Sequence, residues 1–156
     1  MKYKQLAKEQ FEALHEEFSK FLATQQIDVK EWVEIKKHKP DVAEDELNLF
    51  SDLVWENVLS KTNYLEHFSK KNINLFKCEN NEIFRIVVQI TKTNFDFFDD
   101  NDYQWFINNT NDSAIQFFKG VKKYEQERSL ELFDLIQKGS VISDGKLYES
   151  IYKLIT

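Results

Sequence analysis

Carboxylates and aromatic rings crowd together in FDFFDDNDYQWF, residues 95–106, where acids at alternate positions could coordinate calcium. An EF-hand loop needs oxygen ligands at alternate positions, a central glycine and a closing bidentate Glu. Counting from Asp96 puts Phe98 at a ligand position; counting from Asp100 puts Trp105 at the glycine and Asn111 at the closing Glu. The same acids suit a helix start, with Asp99 or Asn101 as the cap and Asp102 in a first turn that favours negative charge.

GSVISDGK, residues 139–146, has the outline of a phosphate-binding loop but not its parts. Five residues separate Gly139 from Gly145 where four are required, and Leu147 stands where a magnesium-binding Ser or Thr belongs. Gly139 instead ends one helix and Ser143 or Asp144 caps the next. Glu66, His67 and Cys78 carry the chemistry of a zinc or nucleophile set. Glu66 and His67 are neighbours, however, so on a strand they point to opposite faces. No metal, cofactor or catalytic residue is assigned.

Two groups of residues remain. Between Pro40 and Ser60 no basic residue occurs, and the acids there include Glu44, Asp45, Asp52 and Glu56. An unbroken run of one sign on one helix makes a docking surface for a protein partner with a basic surface. Lysine-rich KKHKP and KGVKKY offer the competing account, neutralisation within the fold. The second group is Tyr64, His67, Tyr103 and Trp105, which could wall an aromatic-lined pocket.

Length and composition define the elements available to hold these residues. At 156 residues, with 14 Phe against three Gly and one Pro, the chain describes an ordered single domain, 1–156, of long regular elements. A chain of this size buries roughly 70% of its unfolded surface, so a core needs no staples. The net charge of −6 and the presence of arginine only at Arg85 and Arg128 argue against nucleic acid. The opening MKYKQLAKEQF lacks an apolar signal core, and no window reaches the ~20 apolar residues of a spanning helix. The expectation is a soluble, cytoplasmic protein without membrane association. The lone Cys78 agrees with a reducing compartment, and the sequence carries no signal of oligomeric state.

Phe11, Leu14, Phe18, Phe21 and Leu22 predict one amphipathic helix from Lys8 to about Gln25. Asp28, with Glu31 three residues on, caps a short helix to Lys39, and Pro40 leads a third from Asp41 to Leu59. Beyond Lys61 the runs YLEHFS, INLFKC and IFRIVVQIT, separated by SKKN and ENNE, read as an antiparallel meander with the third run central. AIQFF offers a fourth strand and KGVKKYEQER a loop; Ser129 caps a helix ending at Gly139, and a last helix carries Leu147, Tyr148, Ile151 and Leu154. Segregated blocks predict an α+β fold, with N-terminal and C-terminal helices packed on a small three- to four-stranded antiparallel sheet.

LFSDLVWENVLSKTNYLEHFSKKN and LFDLIQKG resemble a family of small acidic bacterial proteins of unknown function found chiefly among Bacteroidetes. The resemblance implies a bacterial cytoplasmic protein and transfers no functional residue. From the residues themselves, the leading expectation is a non-enzymatic protein-binding or adaptor-type module that uses the acidic helix. The alternatives are a small enzyme or ligand-binding protein with a pocket near His67, or an immunity-type toxin inhibitor.

Overall fold

The computed structural model of the protein describes residues 1–156. Its chain forms two compact units, Met1–Ser60 and Lys61–Thr156.

The first unit is helical. The expected first helix is divided at Leu14 (φ −106°, ψ 25°) into α1, Lys8–Ala13, and α2, His15–Thr24. Backbone bonds still cross the junction, from Leu14 N to Gln10 O at 3.0 Å and from Phe18 N to Leu14 O at 2.9 Å, so the axis kinks without unwinding. Helix α3, Val29–His38, starts where the Asp28 side chain accepts from Glu31 N at 2.7 Å. Lys39 leaves the helical region, as the residue before a proline must, and Pro40 opens α4, Pro40–Ser60. Phe18 centres the packing: its ring lies 5.0 Å from Phe50, 5.4 Å from Trp32 edge-on and 5.5 Å from Phe11. Such ring pairs add about 0.5–1.5 kcal/mol each beyond the area they bury.

The second unit is built on an antiparallel sheet ordered β4-β3-β2-β1-β5. The strands are β1 Tyr64–Phe68, β2 Asn72–Cys78, β3 Glu82–Ile90, β4 Ile115–Lys123 and β5 Val141–Ser143. The α+β class stands, but the sheet has five strands where three to four were expected. β4 runs through KGVKK, which was expected to be loop, because an edge strand leaves one side in water where Lys119, Lys122 and Lys123 are accommodated and discourage edge-to-edge pairing. β5 is three residues held only by pairing to β1, so no periodicity announces it. Its addition beyond β1 makes β2, rather than β3, the middle strand.

Helix α5, Asp100–Asn108, begins at Asp99, whose side chain accepts from Asp102 N at 3.0 Å. Helix α6, Arg128–Gln137, starts one residue ahead of the expected cap, and Ser129 is buried in its first turn. It ends at Gly139 (φ +111°), where Ser140 N bonds back to Leu135 O at 3.0 Å. Before α7, Lys146–Ile155, the Asp144 side chain accepts from Lys146 N at 3.0 Å. No helix is long and apolar enough to cross a membrane.

Strand register assigns every side chain to a face. Tyr64, Glu66 and Phe68 share the first face with Ile73, Leu75, Ile86, Val88 and Phe117. There Phe95, Phe97, Phe106, Tyr148 and Ile151 complete a closed core. Leu65, His67, Phe76, Cys78, Ile83, Arg85 and Gly120 lie on the second face, which α6 borders. The turn into α7 is seated against the first-face ring of Tyr64: a Cβ on Gly145 (φ +81°) would stand 2.4 Å from it. Gly145→Ala is therefore expected to lower the unfolding free energy by at least the cost of a left-handed Ala, about 1–2 kcal/mol, in urea titrations. An unchanged midpoint would show that Tyr64 does not fix this turn.

Candidate functional site

On α4 the residues Val42, Asp45, Leu49, Asp52, Leu53 and Glu56 fall within about 100° of arc at 100° per residue. Val42, Leu49 and Leu53 are 41%, 52% and 57% exposed, so this face presents an apolar stripe beside acids. The segment ahead of α1 runs antiparallel along one border of that face. Lys2 N and Tyr3 N donate to the two Asp52 oxygens at 2.7 and 2.9 Å. Lys2 Nζ lies 3.3 Å from Glu56, to which the Tyr3 hydroxyl also donates. Gln5 Nε2 donates to Glu44 at 2.7 Å and to Asn48 at 2.9 Å, while Leu6 N donates to the buried Ser51 Oγ at 3.0 Å. Of the four acids expected to meet a partner, Glu44, Asp52 and Glu56 thus hold the chain's own N-terminal segment, and Asp45 remains exposed.

The four residues expected around a pocket are split between the faces of the sheet. The Tyr64 hydroxyl donates to Glu149 Oε1 at 2.6 Å, and Lys77 Nζ reaches the same oxygen at 3.0 Å. Those two bonds hold the Glu149 carboxyl below the usual range, and the bond to Glu149 raises the Tyr64 hydroxyl. Tyr103 packs 6.2 Å from Phe106 and 6.4 Å from Phe68, and burial raises its hydroxyl. Trp105 meets Phe95 edge-on at 5.9 Å, and Lys92 Nζ lies 3.9 Å from its ring centroid. His67 faces the other way, with its ring against Gly139. The first three belong to the wall of the first-face core and share no cavity with His67.

A cavity that the sequence did not announce lies on the second face. It is a groove of about 540 Å³ between α6 and the β3–β4 side of the sheet, with Phe76, Ile83, Arg85 and Gly120 below and Leu135 and Lys138 beside it. Its only sequence signals are a glycine inside a strand and the helical spacing of Glu131, Asp134, Leu135 and Lys138.

Burial also moves a thiol of β2 and a carboxyl of β1. Burial pushes the Cys78 thiol up to about 12, against the nearby Arg128 charge that lowers it. With so high a value, only about one thiol in ten thousand is ionised at pH 8, and the thiolate is the nucleophile. Cys78 is expected to resist iodoacetamide at pH 8 in the folded protein and to react after denaturation; fast native labelling would contradict this environment. Burial also raises the Glu66 carboxyl, opposed by a hydrogen bond with Ser143 and reinforced by Asp144. A raised folded value means the folded state holds its proton longer, so this group's contribution falls as pH rises from the unfolded value through the folded one. Glu66→Gln is expected to match the native chain near pH 3 and to gain on it progressively above pH 4 in thermal melts. An unchanged difference across that window would refute the assignment.

No curated protein and no solved structure matches this chain. A family profile covers residues 1–156 throughout, and the chain belongs to that family, the family of unknown function DUF6495.

Proposed function

We propose that the protein is a non-enzymatic, adaptor-type binding module whose α4 surface docks a basic, amphipathic segment of a protein partner. The carrying observation is the stripe of Val42, Leu49 and Leu53, which stays exposed on the same helical face as Asp45, Asp52 and Glu56. Isolated exposed aliphatics need no explanation, but three on one arc of a single helix form a line that a second helix can cover. Acids along that line select a partner carrying Lys or Arg beside its apolar residues and speed its approach. Asp45, Asp52 and Glu56 lie together on one side of the aliphatic residues, and of the three Asp45 is the exposed one. A toxin inhibitor of the immunity type is one form of this reading, for which a neighbouring gene for a basic nuclease or other toxin is the direct check.

The test places a photo-crosslinking amino acid at Val42 in the full chain and compares adducts at low and high salt. A basic protein is expected to crosslink at low salt. Its yield should drop roughly tenfold or more when Asp45→Lys is combined with Leu49→Ser and Leu53→Ser, while circular dichroism stays unchanged. An adduct that survives both salt and the triple substitution would overturn the assignment of this surface, as would the absence of any basic adduct.

A further inference from the structure

The groove bordered by α6 carries an independent inference. We propose that it binds a small carboxylate with an apolar body, holding the carboxylate at Arg85 and Lys138 and the body over Gly120, Phe76, Ile83 and Leu135.

The charges around the groove are unequally spent. Lys122 Nζ lies 3.7 Å from Glu125 and 3.6 Å from Glu131, and Gln126 Nε2 donates to Asp134 at 2.7 Å. Glu131 is buried and also accepts from Glu125 N, so both its oxygens are held where it lines the groove. Arg85 and Lys138 make no ion pair, and neither does Asp134, whose partner Gln126 is a neutral amide. The Arg85 guanidinium is oriented by Asn74 Oδ1, to which its Nε donates at 2.9 Å, and by the Phe76 ring, whose centroid is 5.8 Å away. Its Nη2 bonds to the same Asn74 oxygen, so three of its five N–H donors remain free for a ligand. A planar, pre-oriented guanidinium with spare donors matches a carboxylate edge.

The floor explains the apolar body. Gly120 does not adopt a positive φ, and a Cβ placed on it would meet nothing within 4 Å. Neither backbone conformation nor crowding therefore requires glycine there, and glycine weakens a strand interior. What its missing side chain provides is open space above the backbone, opposite Arg85 in the β3–β4 register. A groove of about 540 Å³ lies in the range that takes small molecules.

The experiment titrates the ¹⁵N-labelled full chain with 4-phenylbutyrate and decanoate, and in parallel with neutral 4-phenylbutyramide and with phenyl phosphate. Saturable shifts are expected at the Gly120, Ile83 and Leu135 amides with both carboxylates, and the amide should bind roughly fivefold more weakly or worse. Gly120→Val, which fills the floor with a residue that strands favour, should abolish the shifts without lowering the melting temperature. Arg85→Gln together with Lys138→Gln should remove the preference for acid over amide. The proposal is overturned by shifts that are absent or scattered, by equal binding of acid and amide, or by binding that survives Gly120→Val. Tighter binding of phenyl phosphate than of either carboxylate would overturn the choice of anion.

Discussion

The arrangement of the second unit depends on one guanidinium. Arg128, the first residue of α6, donates through Nε to Glu79 O at 3.1 Å and through Nη2 to Cys78 O at 3.0 Å and to Thr62 O. Those carbonyls belong to the end of β2, the turn after it and the approach to β1. Bonds from a charged donor contribute about 1.5–3 kcal/mol each, and the planar fork of an arginine spreads them over several acceptors in fixed geometry. With its first turn tied to this corner, α6 borders the second face, and the groove lies between it and the β3–β4 side of the sheet. The same clamp sits beside the buried Cys78, where burial raises the thiol in spite of the neighbouring guanidinium.

The two faces of the sheet divide structure from opportunity. The first is closed by Phe95, Phe97, Phe106 and Tyr148, with Tyr64, Lys77 and Glu149 fastening α7 to the strands. Aromatic residues that looked available in the chain are consumed in that closure. The second face keeps Arg85, Gly120 and Phe118 in contact with solvent.

Local chemistry wrote much of this fold legibly. Asp28 and Asp99 act as caps, Pro40 opens a helix and Gly139 closes one, because each satisfies or constrains backbone within a few residues of itself. The strands β1 to β3 were legible from β-branched runs between polar turns. What stayed hidden depends on partners distant in sequence. β5 exists only through β1, and the lysines of KGVKK mask a strand because an edge tolerates them. The candidate sites followed the same rule. Acidity and helical spacing located α4, but nothing in the sequence says that residues 2–6 lie against it. The period of a strand already separates Tyr64 from His67, three residues on; what needed the register was which of the two faces the aromatic core closes.

The N-terminal segment on α4 acts as a tethered competitor. The segment belongs to the same chain as the surface it covers, with Lys2 50 residues from Asp52 in sequence, so its contact is intramolecular and any visitor competes against a local effective concentration. Any visiting basic segment that sought the Asp52 and Glu56 carboxylates would have to displace Lys2 and Tyr3 against that concentration, and its apparent affinity would fall accordingly. A visitor that used Asp45, Leu49 and Leu53 would meet no such competition. Geometry thus filters partners by where they place their charge: the tether turns half of an acidic helix into a threshold and leaves the other half as the open door.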